Sequence, residues 1–190
     1  MKNKILSCQN LSIGYNSPLR SNLSFDILEG EMTFLQGKNG TGKSTLIKTI
    51  LSEVKQLDGQ INWSVTKEQV SYLPQLTNTE AHFSYTIREI LEIYGVSKKY
   101  YDFFTADQLS QSWTKSSGGE KQKTMILTKV KENSKLLILD EPFNHLDSDS
   151  VDMIKQLLSS LIKTKIVSSL LLVSHLKISI DNIQTKEIIL

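Results

Sequence analysis

Apolar positions along the chain alternate between short strand-like runs and stretches with helical spacing. Strand-like runs cover residues 5–7, 11–15, 23–28, 32–36, 70–73, 136–139, 170–173 and 186–190. Apolar residues three and four positions apart mark helices near residues 46–51, 86–94, 118–131 and 151–161. Strands that alternate with helices favour a mostly parallel sheet with both faces covered. The pattern therefore predicts an α/β fold.

Two regions depart from this alternation. The first thirty residues are strand-like, with a turn at Glu29-Gly30, which predicts an N-terminal antiparallel β-subdomain. Residues 76–134 show helical spacing and no convincing strand, which predicts a short helical insertion. No repeat or linker interrupts the chain. We expect a single domain over residues 1–190, with its core formed by 1–75 and 135–190.

Composition excludes several classes of protein. Of 190 residues, 22 are Lys or Arg and 20 are Asp or Glu, so a net charge of +2 gives no broad nucleic-acid-binding face. The single cysteine, Cys8, cannot form an internal disulfide, which favours a reducing compartment. No secretory leader and no run of roughly 20 apolar residues is present. We therefore expect a protein that is neither secreted nor membrane-spanning.

Residues 37–44 carry the pattern G-x-x-x-x-G-K-S, directly after a predicted strand and at the start of a predicted helix. Glycines allow backbone N–H groups to turn inward around an anion, and the helix directs its positive dipole end at the same point. Lys43 would neutralise the β and γ phosphates of a nucleotide, and Ser44 would offer a hydroxyl to Mg²⁺. A chance glycine-rich turn is the alternative. The residues assigned to the phosphates are Gly37, Lys38, Asn39, Gly40, Thr41, Gly42, Lys43, Ser44 and Thr45.

Two carboxylates follow the apolar run at residues 136–139. Asp140 stands at the carboxyl end of that predicted strand, where it can hold Mg²⁺ directly or through water. Glu141 can act as the general base that polarises the attacking water. An Asp-Glu pair alone is often a solvated strand end. Together with the glycine loop, it predicts an ATP-hydrolysing site.

Residues 116–122, Ser-Ser-Gly-Gly-Glu-Lys-Gln, resemble the signature motif of the ABC ATPase family. The resemblance extends over nearly the whole chain and implies a P-loop NTPase fold. It also implies that two subunits pair head to tail around ATP and Mg²⁺. Ser117, Gly118 and Gly119 of one subunit, with Glu120 beside them, would then close over the γ-phosphate held by Lys43 of the other.

Four further positions match the family in order and spacing. The resemblance implies that Tyr15 stacks on adenine and that Gln75 senses Mg²⁺ and connects to a membrane partner. It also implies that Asp147 belongs to the D-loop and that His175 is the switch histidine that contacts the γ-phosphate. Read from the residues alone, Tyr15 could be an ordinary strand tyrosine, Gln75 a plain loop residue and His175 a structural histidine.

The family implies a function for the chain. We expect an ATP-binding and ATP-hydrolysing subunit of an ABC transporter, working as a homodimer or heterodimer of cassettes and driving a separate membrane-spanning subunit. We expect this subunit in the cytoplasm, held at the inner face of the cell membrane by that partner. The short cassette, with no C-terminal regulatory domain expected, favours export. Eight of the 14 aromatic residues lie between residues 83 and 113. They would form the core of a small subdomain, or some of them would line a groove that receives a helix of the membrane partner.

Two departures from the family pattern leave alternatives. Ser116 stands where the signature usually has leucine, and Glu120 where it often has glutamine, although neither supplies the group that meets the phosphate. Residues 143–147 resemble the soluble, translation-associated ABC-F branch, which normally carries two cassettes in one chain. A soluble ABC ATPase acting on ribosomes or in cofactor assembly is therefore the second hypothesis. A third hypothesis is a regulatory subunit that hydrolyses little ATP. It is disfavoured because such subunits usually lack the catalytic glutamate or histidine, whereas Glu141 and His175 are both present.

Overall fold

The computed structural model describes residues 2–75, 84–174 and 183–190. Its eight strands are β1 (Lys4–Gly14), β2 (Pro18–Leu28), β3 (Glu31–Gln36), β4 (Asp58–Trp63), β5 (Val70–Leu73), β6 (Leu136–Asp140), β7 (Ser169–Val173) and β8 (Gln184–Ile189). Its five α-helices are α1 (Lys43–Ile50), α2 (Ile87–Ile93), α3 (Ala106–Ser110), α4 (Gly118–Thr128) and α5 (Ser148–Lys163). These counts refer to the described ranges.

The central sheet has five parallel strands in the order β5-β6-β7-β3-β8. Because parallel neighbours need crossover connections, the helices cover both faces of this sheet. All carboxyl ends of the strands meet at one edge. The glycine loop follows β3 and the Asp140-Glu141 pair ends β6, so the topology brings both motifs to that edge. This arrangement confirms the predicted α/β fold with a parallel core.

Two hydrophobic cores lie on opposite faces of the central sheet, and the central strands contribute to both. On β6, Leu137 and Leu139 face the core beneath α4 and α5, whereas Leu136 and Ile138 face the core beneath α1 and the N-terminal strands. This alternation follows from the two-residue period of a strand. All four side chains are fully buried, which explains why the strand reads as a continuous apolar run rather than as an alternating one.

The N-terminal antiparallel sheet has the order β2-β1-β4 and confirms the predicted β-subdomain. Three details differ from the sequence prediction. The runs at 5–7 and 11–15 form one strand, β1, because register shifts between Cys8 and Leu11 absorb the polar residues between them. Strand β2 begins earlier, at Pro18. Strand β4 was not predicted, because its alternately exposed residues include few apolar ones.

Helices and turns make up most of residues 84–135, which precede β6. Besides α2, α3 and α4, this segment holds 3-10 turns at Lys98–Phe103 and Trp113–Lys115, and no strand lies within residues 84–135. Helix α4 ends at Thr128, three residues before the predicted end. Lys123 of α4 ties the segment together, because its ammonium donates to the carbonyl of Phe103 over 2.9 Å and to Gln108 over 3.3 Å. Strand β8 likewise begins two residues earlier than predicted, at Gln184.

Candidate nucleotide-binding site

The glycine loop leads from β3 into α1 through left-handed backbone. Gly40 has a φ of 80° and Gly42 a φ of 103°, values that a side chain disfavours. A Cβ at Gly42 would also come within 2.8 Å of Leu19 Cδ2. Thr41 closes the loop, since its backbone N–H and its hydroxyl both donate to the carbonyl of Lys38. The loop therefore forms a tight turn between β3 and α1 at the predicted place.

Helix α1 differs from the other α-helices of the described residues at its N-terminus. The side chains of Thr86, Thr105, Ser117 and Asp147 cap α2, α3, α4 and α5, and each of those helices has an acidic residue in its first turn. Helix α1 is preceded by Gly42, which offers no side-chain cap, and has no acidic residue in its first turn. Its first N–H groups and the positive end of its dipole are thus left to an anion from outside the chain.

Lys43 adds a positive charge at the same place. Its side chain is 8% exposed, and its ammonium donates to the carbonyl of Gly37 over 2.7 Å and to that of Lys38 over 3.2 Å. The lysine is therefore folded back over its own loop, held by neutral acceptors rather than by a carboxylate. An arriving phosphate would replace a carbonyl dipole with a full negative charge, which strengthens the interaction.

Asp140 ends β6 at the wall of the same cleft. Its Oδ2 accepts a hydrogen bond of 3.2 Å from the hydroxyl of Tyr72 on the neighbouring strand β5. Burial raises the pKa of Asp140, and the Tyr72 hydrogen bond and the charge of Lys43 partly oppose that rise. Burial, followed by the negative charge of Asp140, raises the pKa of Tyr72, so the phenol stays protonated and donates.

Glu141 follows in an unusual backbone conformation. Its φ is 50°, in the left-handed region that costs an L-residue roughly 1–2 kcal/mol. Its N–H donates to the carbonyl of Val173 on β7 over 2.9 Å, and its carbonyl accepts from the N–H of Asn144 over 3.1 Å. These contacts hold the strained residue at the strand end, a feature common at functional sites.

One cleft of about 600 Å³ collects most of the predicted residues at this edge. It is lined by Leu19, Asn39, Gly40, Gly42, Lys43, Ser44, Thr45, Gln75, Asp140, Glu141 and Asn144. Leu19 and Asn144 were not predicted. Leu19 is a residue of β2 that is 43% exposed, and because β2 mixes apolar and polar residues, nothing in its sequence pattern marks Leu19. Asn144 lies three positions after Glu141, in the same loop.

The donor set of the cleft fits Mg²⁺ bound together with a nucleotide. Ser44, Gln75 and Asp140 offer hydroxyl, amide and carboxylate oxygens, the ligand type that Mg²⁺ prefers. No group of three His, Cys, Asp or Glu residues capable of holding a metal occurs in the described part of the chain. Mg²⁺ usually takes one or two protein ligands and completes its shell with phosphates and water, so this sparse set suits it.

The signature residues lie at the start of α4, outside the cleft. Ser117 caps the helix: its hydroxyl accepts from the N–H of Glu120 over 3.2 Å, and its own N–H donates to the Glu120 carboxylate over 2.8 Å. Among residues 2–75, 84–174 and 183–190, no acceptor takes the hydroxyl proton of Ser117. Asp147 caps α5 in the same way, accepting from the N–H of Ser150 over 2.8 Å, and this bond lowers the pKa of Asp147.

The remaining predicted residues are placed as follows. Gly37, Lys38 and Thr41 contribute backbone to the loop rather than side chains to the cleft wall. Tyr15 directly follows β1 and is 64% exposed, but does not line the cleft. The predicted switch histidine, His175, lies outside the described residues.

Comparison with known proteins agrees with this arrangement. The sequence model of the ABC transporter family matches residues 20–144. The ATP-binding protein YdiF of Bacillus subtilis is 32% identical over 97% of the chain and 29% of its own length. The zinc import ATP-binding protein ZnuC of Rickettsia conorii is 30% identical over 92% of the chain and 78% of its own length.

Solved structures resemble the whole fold. The cbiO1 protein of Clostridium perfringens, described as part of the ABC transporter complex cbiONQ, superposes with a TM-score of 0.78 over 95% of this chain and 81% of its own, at 22% identity. The chain spans about a third of the length of the relatives YfmM, YdiF and Uup. Among the helices of residues 2–75, 84–174 and 183–190, none has the length and apolar character that a bilayer crossing needs.

Proposed function

The chain belongs to the ABC transporter family, and we propose that it is an ATP-hydrolysing subunit that pairs head to tail with a second cassette and drives a separate membrane-spanning partner. The observation that carries the proposal is the uncapped N-terminus of α1 beside Lys43, Asp140 and Glu141 in one cleft. A triphosphate supplies the anion that this helix end lacks.

The chemistry follows from the side chains of the cleft. Lys43 and the N–H groups of α1 stabilise the negative charge on the β and γ phosphates. Glu141 accepts a proton from water as the water oxygen bonds to the γ-phosphorus, and the bond from that phosphorus to the bridging oxygen of ADP breaks. Mg²⁺, held near Ser44, Gln75 and Asp140, would neutralise charge that develops on the phosphate oxygens.

A second cassette would complete the site. Ser117, Gly118 and Gly119 lie outside the cleft that holds Lys43 in the same chain. Ser117 already caps α4, so in a pair the Ser117 hydroxyl proton and the N–H groups of the two glycines would donate to the γ-phosphate held by the other chain. A γ-phosphate held between two copies would bridge these two halves, so that its hydrolysis loosens the pair.

Exposed apolar side chains support a membrane partner. Tyr85, Ile93 and Tyr94 of the helical insertion are 46%, 63% and 55% exposed. Such a group, together with Gln75, suits a helix presented by a spanning subunit on the membrane face. The relatives ZnuC and MolC are named for zinc and molybdate import. These names do not support the predicted export, and the direction of transport stays a prediction.

A soluble ATPase remains the second candidate function. YdiF, Uup and YheS carry only the name ATP-binding protein, and the chain spans less than a third of each. The resemblance of residues 143–147 to the soluble ABC-F branch favours an ATPase of that kind, which acts without a transport partner.

Two measurements test the proposal. Purified chain should release phosphate from ATP when Mg²⁺ is added, and Lys43→Ala should not; equal activity of the two proteins would contradict it. Affinity purification from detergent-solubilised cells should then recover an integral membrane protein. Recovery of ribosomes or a soluble scaffold would instead support the second candidate.

A further inference from the structure

We propose that Tyr72 is a positioning residue, which orients the carboxylate of Asp140 for the metal ion. The inference rests on the proposed function, because it concerns the Mg²⁺ that accompanies the nucleotide. It adds a residue that lies outside the phosphate loop, the signature turn and the carboxylate pair.

The sheet register places the two side chains together. Tyr72 lies on β5 opposite Ile138 of the parallel strand β6, and Asp140 follows two residues after Ile138. Because side chains alternate along a strand, Ile138 and Asp140 project from the same face of the sheet. Tyr72 packs against the core on that face, and its hydroxyl reaches Asp140 Oδ2 at 3.2 Å.

This hydrogen bond restricts the carboxylate. Asp140 is half-buried, so an unrestrained carboxylate there would lose solvation without gaining a fixed orientation. Donation to Oδ2 fixes the rotation of the group and leaves Oδ1 for a metal ion or its bound water. Partners that hold a metal ligand in this way typically change metal affinity by about 10–100-fold.

The surroundings of the tyrosine ring separate this role from simple packing. The ring lines a second cavity of about 380 Å³, together with Trp63, Val65 and Val70. A phenylalanine would keep these contacts and would lose only the hydroxyl. Tyr72→Phe therefore removes the hydrogen bond while it preserves the shape of the core.

Metal binding gives the sharpest test. Mn²⁺ serves as a paramagnetic probe. It is titrated into a solution of ADP and an excess of the protein, and its binding is followed by electron paramagnetic resonance. Tyr72→Phe should weaken Mn²⁺ binding about 10-fold, while ADP affinity measured in EDTA stays the same. Tyr101→Phe is the matched control, because it removes the hydroxyl of a buried tyrosine in the helical insertion, whose ring lies beneath the guanidinium of Arg88.

Each outcome decides between the claims. Equal Mn²⁺ affinity in Tyr72→Phe and the unaltered chain would overturn the positioning role and leave the proposed function intact. An equal loss of ADP affinity in EDTA would overturn it too, because the substitution would then act on the fold of the cleft. If the unaltered chain shows no ADP-dependent Mn²⁺ site, the proposed function itself is contradicted.

Discussion

Gly119 of the signature turn packs directly against Ser150 of α5. A Cβ at position 119 would lie 2.5 Å from Ser150 Oγ and 2.7 Å from its Cβ. Ser150 in turn donates its N–H to Asp147, the residue that caps α5. The second glycine of the signature is therefore required by the packing of α4 against α5, whether or not a phosphate is bound. The same contact ties the signature turn to the loop that follows Glu141.

Gly119→Ala should lower the free energy of unfolding by about 1–3 kcal/mol, the usual cost of overpacking a core. Urea unfolding measures this directly. Gly118→Ala is the control, because its Cβ would meet only the flexible end of Leu146, at 3.3 Å. Adding Ser150→Gly to Gly119→Ala should recover part of the loss. A Gly119→Ala protein as stable as the unaltered chain would show that the contact is not tight.

Asp140→Asn should raise the resistance of the protein to urea at neutral pH. Because burial raises the pKa of Asp140 in the folded state, its protonated form is favoured there. The protonated Asp140 carboxyl therefore contributes its full stability below the pKa that Asp140 has in the unfolded chain. This contribution is lost as the pH rises through the pKa of Asp140 in the folded protein. The gain from Asp140→Asn should shrink as pH falls towards the ordinary aspartate pKa of about 4.

The exposed Asp102 provides a comparison for this substitution, since Asp102→Asn should leave the urea midpoint unchanged across the same range. An Asp140→Asn gain that is constant with pH would contradict the assigned cause. Loss of stability at neutral pH would contradict it as well.

Tyr15→Ala should weaken nucleotide binding by about 1–3 kcal/mol, the range found for stacking of a base on an aromatic ring. With 64% of the residue exposed, its removal leaves both hydrophobic cores intact. Isothermal titration with ATP analogues measures the change. Tyr94→Ala, which also removes an exposed tyrosine, should bind as the unaltered chain does. Unchanged affinity in Tyr15→Ala would refute stacking.

The glycine loop between β3 and α1 and the parallel core could be predicted because each depends on local signals. Gly42 and Lys43 lie in one short motif, and β6 and β7 each contain a run of four apolar residues because both of their faces are buried. Strand β4 has no such signal. Its Asp58–Trp63 sequence is half polar, and it forms because β1 offers an open edge for pairing.

Long-range contacts account for the rest of what sequence reasoning missed. Leu19 lines the cleft because β2 brings it against Gly42, 23 positions away in sequence. The hydrogen bond from Tyr72 to Asp140 joins residues 68 positions apart. Neither pairing leaves a periodic pattern, because each depends on which strands become neighbours.

Glu141→Gln should reduce the turnover of ATP by about 10²–10⁴-fold, the usual contribution of a general base. ATP binding should persist, because the phosphates are held by α1 and Lys43, and a dimer stabilised by ATP should accumulate. Phosphate release and size-exclusion chromatography give the two readouts. Glu132→Gln changes a largely exposed carboxylate and is the control. Full turnover in Glu141→Gln would remove Glu141 from the reaction.

Mixing two inactive variants tests the shared site most directly. Ser117→Arg should block the signature turn while leaving the chain able to bind ATP, and Lys43→Ala should leave the turn intact but bind no phosphate. Mixed at equal amounts, the two should regain up to about a quarter of normal ATPase activity, because half of random pairs are mixed and each has one intact site. A mixture that stays inactive, or a Ser117→Arg protein that hydrolyses ATP at the normal rate alone, would contradict a site built from two chains.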